Sequence, residues 1–167
     1  MKHFIVIDMQ NDFCTGSLKN DAAVAVIPYI QEKLEEARKN GDSIVFTKDS
    51  HESNYLETLE GKNLPVEHCV INTPGWEIVD ELKPLANEKV IVKRHFGYDG
   101  WAHVIKPGDE VTLCGTCTAI CVASAALMIK AIDEVKVTVL KDGCACISEE
   151  SHNAALKTME CCQCVIA

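Results

Sequence analysis

The order of apolar and helical segments predicts an α/β fold. It is read as a single domain over residues 1–167, a Rossmann-like three-layer sandwich with a six-stranded parallel sheet and helices on both faces. Three observations carry this prediction. Short, nearly continuous apolar runs recur along the chain, as strands covered on both faces require. Stretches with helical spacing separate them. No internal repeat, low-complexity tract or linker interrupts the alternation.

The expected strands are Phe4–Asp8, Ser43–Lys48, Lys89–Arg94, Glu110–Gly115, Lys136–Lys141 and Cys161–Ile166. Pro28 suits the first turn of a helix. Ile30, Leu34 and Ala37 then repeat along one face, and Gly41 stands where a helix stops. After the fourth strand, Cys121, Ala125, Met128 and Ile132 form a stripe on a helix that is apolar almost all round. Ser148 is a suitable N-cap for a last helix with His152, Ala155, Leu156 and Met159 on one face. The polar segment between strands two and three carries Gly61, Pro65, Pro74 and Gly75, and loops of that length tend to be functional.

Composition narrows the partners. The 167 residues carry a formal charge of -9 and no Lys/Arg run, which argues against nucleic acid and anionic membrane. No stretch is apolar for long enough to span a bilayer, and the start of the chain lacks signal-peptide features. A cytoplasmic protein is expected. Its ten cysteines are then mostly reduced packing residues, since buried free Cys behaves as a small hydrophobe.

Ligands of parallel sheets bind beyond the carboxyl ends of the strands. That rule gathers Asp8, Asp49, Lys93 and Gly115–Cys121 into one neighbourhood. Asp8 can exchange protons with a ligand, or simply cap the turn that follows. Lys93 faces the crevice, or is a solvated strand end. Cys121 is a candidate nucleophile at a helix start, where unpaired N–H groups and Lys93 are expected to lower a thiol pKa and to hold an oxyanion. The rival reading, Cys114, Cys117 and Cys121 as zinc ligands, matches no standard spacing. Asp49, His51 and His68 suit zinc, iron or manganese, with Glu60 or Glu57 to complete the shell; the alternative is an ordinary polar loop.

Together these blocks resemble the isochorismatase-like cysteine hydrolases, and the nicotinamidase-related branch in particular. The resemblance rests on Val6–Phe13, Thr47–His51, Leu64–Cys69 with Thr73-Pro74-Gly75 after it, Lys93, and Gly115–Val122. It implies a hydrolase that splits a small carboxamide into acid and ammonia through a thioester. Asp8, Lys93 and Cys121 would be its triad, and the N–H groups of Cys117 and Cys121 its oxyanion hole. Asp49, His51 and His68 would bind a divalent metal, zinc first, that holds a substrate ring nitrogen, and Phe13 would pack on the substrate. The resemblance also implies a cis Thr116–Cys117 peptide. Ala119 stands where the family often has Asp, Ile120 where nicotinamidases often have an aromatic, and the segment Arg94–His103 is compressed. These departures alter the pocket wall and leave the triad intact, so another small amide or a ureido compound is an alternative substrate. A catalytically idle ligand-binding member, and a thiol-redox or cysteine–metal protein built on Cys144, Cys146, Cys161, Cys162 and Cys164, are the rival classes. Self-association stays open.

Overall fold

A computed structural model describes residues 1–167. Six strands form one sheet: β1 (Lys2–Ile7), β2 (Ser43–Asp49), β3 (Lys89–Lys93), β4 (Glu110–Thr116), β5 (Lys136–Ala145) and β6 (Val165–Ile166). The order is β3-β2-β1-β4-β5-β6, and every pairing is parallel. The helices are α1 (Asn11–Cys14), α2 (Asp21–Ala25), α3 (Ile27–Asn40), α4 (Leu59–Asn63), α5 (Trp101–Val104), α6 (Ala123–Lys130) and α7 (Glu149–Cys161).

Side chains alternate across a strand, so β1 feeds two cores at once. Ile5 and Ile7 join Leu113, Ala126, Ile129 and Met159 on the α6/α7 face. Phe4 and Val6 join Ile30, Leu34 and Phe46 on the α3 face. Ile30 and Leu34 are fully buried, and each such side chain contributes about 1.5–3 kcal/mol by leaving water. Helix α3 carries Pro28 in its first turn and ends at Gly41, whose φ of 77° is the left-handed stop expected there. Ser148 caps α7 by accepting the Ser151 N–H at 3.1 Å.

The chain winds in opposite directions from β1, with β2 on one side and β4 on the other. The crevice of such a sheet opens at that switch, past the ends of β1 and β4. Gly115 is required there. Its φ is 123°, and a Cβ would collide with the Ile7 carbonyl, so only glycine lets β4 lie this close to the residue before Asp8.

Two expectations need correction. Cys161–Ile166 is not a strand: α7 runs through Cys161, the chain reverses at Gln163 with φ 67°, and only Val165–Ile166 pairs. The helical stripe ending at Met159 outweighs the β-like composition of the tail. Cys161 and Cys162 are exposed, so these two are not packing residues. The helix after β4 departs from the expected stripe at one position: a π-type turn at Thr118–Val122 precedes α6, Cys121, Ala125 and Ile132 pack on the core, and Ile129 takes the place of Met128. Leu127 and Met128 are each 37% exposed, so the helix is not buried all round.

Candidate active site and metal group

Asp8 follows β1 directly and has a φ of 50°, a left-handed conformation that Asp tolerates better than most residues. Thr47 holds it from two sides. The threonine hydroxyl accepts the Asp8 N–H at 3.1 Å and donates to Asp8 Oδ1 at 2.6 Å. Lys93 closes β3, paired in register with Asp49 at the end of β2, so both side chains leave the same face. The Lys93 ammonium lies 2.7 Å from Asp8 Oδ2, 3.4 Å from Asp49 Oδ1 and 3.6 Å from Cys121 Sγ. Asp8 Oδ2 has no in-line hydrogen bond, so it keeps a lone pair for a proton. Asp8, Lys93 and Cys121 are all buried.

Burial, reinforced by Asp8, pushes the Cys121 thiol well above its usual value, and Lys93 only partly offsets this. The expectation of a lowered thiol pKa is therefore reversed. Cys121 lies inside the π-type turn, not at the first residues of an α-helix, and it sits beside a carboxylate. Burial also raises the Asp8 pKa, against the pull of Lys93. Burial acts to lower the Lys93 pKa, but Asp8, Cys121 and Asp49 outweigh it and keep the ammonium charged. These directions favour a neutral Cys121 thiol beside the Asp8–Lys93 pair.

The second group adjoins the first through Asp49. One ligand-type atom from each of Asp49, His51, Glu60 and His68 lies within 4.8 Å of the other three. Asp49 Oδ2 is 3.1 Å from His51 Nε2 and 3.7 Å from His68 Nε2. Glu60 Oε1 is 3.6 Å and 3.8 Å from the same two nitrogens. This geometry selects Glu60 over Glu57. His68 Nδ1 donates to the Val66 carbonyl at 2.8 Å, which turns Nε2 toward Asp49 and Glu60. Burial raises the Asp49 pKa, but hydrogen bonds from His51 and His68, with Lys93 nearby, outweigh it and keep the carboxylate ionised. Two imidazoles and two carboxylates without a thiolate fit a divalent ion such as zinc, iron or manganese. Cys114, Cys117 and Cys121 do not converge into such a group.

One cavity of about 630 Å³ joins the two groups. Cys117, Cys121 and Thr116 line one end, Asp49, Glu60 and His68 the other, and Phe13, Phe96, Ile120 and Ile147 its apolar walls. Phe13 stands beside His68, with ring centroids 5.6 Å apart. The Thr116–Cys117 peptide is cis.

Residues 2–167 match the isochorismatase domain. The chain belongs to that family. Among its relatives, the nicotinamidase/pyrazinamidase of Mycobacterium tuberculosis is 31% identical, the alignment covering 95% of this chain and 94% of that protein. A nicotinamidase of Schizosaccharomyces pombe is 29% identical over 92% of this chain and 86% of its own length. In three dimensions this isochorismatase-family chain superposes on a pyrazinamidase of Pyrococcus horikoshii in complex with zinc. The TM-score is 0.85 at 28% identity, over 99% of this chain and 98% of that one. The family resemblance read from the sequence and the parallel α/β fold both hold.

Of the site residues expected from sequence, Phe13, Asp49, Glu60, His68, Cys117 and Cys121 line the cavity; Lys93 contacts Cys121 and Asp8, and His51 contacts Asp49. Three supporting residues were missed. Gln10 is fully buried; its amide donates to the Asp49 and Trp76 carbonyls at 2.9 Å each and accepts the Asp49 N–H at 2.8 Å. Thr47 sits two residues before Asp49, hence on the same face of β2. Asp12 accepts the Cys69 N–H at 2.7 Å and so fixes the loop next to His68. The spacing Asp8-x-Gln10-x-Asp12 was visible, but the partners of these side chains lie 39 and 57 positions away.

Proposed function

We propose that this isochorismatase-family protein is a thiol-dependent amidohydrolase acting on small carboxamides, nicotinamidase-like, with Asp8, Lys93 and Cys121 as its catalytic triad. The observation that carries this reading is the Lys93 ammonium held between the Asp8 carboxylate and the sulfur of Cys121, which lines the cavity. Nicotinamidases matching nearly the whole chain support amide chemistry on carbon–nitrogen bonds other than peptide bonds.

The substrate carbonyl sits above Cys121, its oxygen toward the N–H groups of Cys117 and Cys121. Asp8 accepts the thiol proton as the sulfur attacks the carbonyl carbon, so a thiolate need not accumulate beforehand. Lys93 stays protonated and stabilises the negative charge that moves between carboxylate and sulfur. Collapse of the tetrahedral adduct passes the proton from Asp8 to the departing nitrogen, and ammonia leaves a thioester. Asp8 then takes a proton from water as the water attacks the thioester, and returns it to the sulfur as the acid departs.

Asp49, His51, Glu60 and His68 would hold a divalent cation, zinc by first choice, with iron and manganese compatible. Bound there, such an ion supplies a Lewis acid that anchors a basic ring nitrogen of the substrate. Phe13 packs on the ring. Ile120 and Phe96 make the wall apolar, so nicotinamide, pyrazinamide and ureido compounds belong in one substrate panel. The ten free cysteines suit a reducing compartment, and we assign the cytoplasm.

Ammonia release from that panel tests the reading. Wild-type protein should hydrolyse at least one ring carboxamide. Cys121→Ala should lose at least about 10³-fold in kcat while melting within a few degrees of wild type. Appreciable turnover by well-folded Cys121→Ala protein would refute the thiol mechanism.

A further inference from the structure

A second pair of thiols lies outside the triad: Cys117 lines the cavity, and Cys146 is buried beside it. Cys117 Sγ and Cys146 Sγ lie 3.1 Å apart. Their positions follow from the sheet. Thr116 on β4 pairs with Ala145 on β5, so the two cysteines are the next residues in register past two neighbouring parallel strands. Adjacent strands run about 4.8 Å apart, which is inside the Cα separation of about 4.4–6.8 Å that a disulfide spans. A bonded pair of sulfurs is separated by about 2.05 Å, so closing this contact requires roughly 1 Å of relative movement.

We propose that Cys117 and Cys146 are a redox-modification site that closes reversibly to a disulfide when a small hydroperoxide enters the cavity.

The two sulfurs are unequal, as such a reaction needs. Burial opposes ionisation of Cys146. The Cys117 S–H and the backbone N–H groups of Ala119, Ser148 and Ile147 outweigh it and hold the Cys146 thiol below its usual value. Burial and Cys146 push Cys117 up to about 11, and either sulfur can donate across the 3.1 Å contact. Hydrogen peroxide takes the Cys146 thiolate to the sulfenic acid: the sulfur attacks one peroxide oxygen, and the other leaves as hydroxide, which becomes water on taking the proton that Cys146 had released. The Cys117 sulfur then attacks the Cys146 sulfur, its proton leaves with the sulfenic hydroxyl as a second water, and the S–S bond forms. Two thiols and one peroxide become one disulfide and two waters. Cys121, whose thiol is held neutral by burial and Asp8, reacts more slowly by the same reasoning.

Closure acts on the turn that carries the nucleophile. The Cys117 carbonyl accepts the N–H groups of Ile120 and Val122 at 3.0 and 3.2 Å, on either side of Cys121. Drawing Cys117 toward Cys146 displaces this turn, and a misplacement of about 1 Å can cost on the order of 10²-fold in rate. This loss of turnover rests on the amidohydrolase reading; formation of the disulfide does not.

The test treats reduced, full-length protein with a small excess of hydrogen peroxide, traps remaining thiols with N-ethylmaleimide and maps peptides without reduction. A peptide pair linking Cys117 to Cys146 is expected, lost on treatment with dithiothreitol. Amide turnover should fall about 10–100-fold and return on reduction. Cys146→Ala should keep basal turnover and resist the same dose. Oxidation of other cysteines with no Cys117–Cys146 peptide in wild type overturns the proposal, whatever the variant does. Loss of activity in Cys146→Ala at the wild-type rate overturns the regulatory effect. A linked peptide in a protein that hydrolyses no amide would leave the redox site standing and remove the proposed function instead.

Discussion

The two halves of the cavity are built differently. At the thiol end, Asp8, Lys93 and the β4 turn project from the ends of three strands, and the sheet register sets their separations. At the imidazole end, only Asp49 comes from a strand. His51, Glu60 and His68 lie on the long segment between β2 and β3, which Asp12, Gln10 and short turns hold in place. A group mounted on a parallel sheet inherits the rigidity of the core beneath it. A group mounted on a loop is only as rigid as the hydrogen bonds that close the loop. Lys93 joins the halves by contacting Asp8, Cys121 and Asp49 together.

Removing that link should produce the largest effect. Lys93→Met leaves two buried carboxylates, Asp8 and Asp49, without their shared cation. Breaking a buried ion pair from one side costs about 3–5 kcal/mol, so the melting temperature should fall by roughly 10 °C with turnover lost. A variant that melts like wild type would show that the two halves are electrostatically independent.

The loop-mounted half is tested next. His68→Ala should raise KM about 10–100-fold, change kcat less, and lower the bound-metal stoichiometry. Chelation of wild-type protein should reproduce the KM effect. A fall in kcat with KM unchanged would place His68 in the chemistry and erase the division between the halves. Gln10→Ala should be milder, because it leaves every candidate ligand and triad member in place. Three backbone groups lose their partner, at a cost of about 1–3 kcal/mol. Metal affinity should suffer more than the alkylation rate of Cys121, since Gln10 braces Asp49. Equal damage to both would contradict the contrast drawn between strand and loop.

An ion pair remote from the cavity provides the smallest effect and a control. Arg38 Nε and Nη2 donate to Glu88 Oε1 and Oε2 at 2.7 and 2.8 Å. Burial acts to raise the Glu88 pKa, but these bonds outweigh it and hold it below its ordinary 4.5. A depressed carboxylate contributes its stability above the unfolded value and loses it as pH falls through the folded one. Glu88→Gln should therefore cost about 1 kcal/mol at pH 7, with no change in KM, and the difference from wild type should vanish as the solution is acidified below that lowered value. A difference that persists there would assign the effect to packing.

Much of this arrangement was legible in the chain itself. Asp8, Asp49 and Lys93 each end or follow an apolar run, and period and strand-end position suffice to gather them. His51 could be added because it lies two residues from Asp49, and His68 because it closes the polar loop that Asp49 and His51 open. Gln10, Thr47 and Asp12 were not legible, since each acts on a partner whose nearness only the folded loop creates. The tail around Cys164 misled, because a short apolar run fits either a strand or the end of a helix.

By itself the sequence determined the alternation of strands and helices, the two-sided burial of β1, and the set of side chains able to carry thiol and metal chemistry. Local periodicity and residue chemistry are written in the chain at short range. The tertiary structure decided what depends on distant segments meeting. It set the π-type turn ahead of α6, the choice of Glu60 over Glu57, and the contact of Cys117 with Cys146. It also reversed the sign of the Cys121 pKa shift. A thiol's charge state depends on how much water and which carboxylate the fold leaves beside it, and no local pattern encodes that balance.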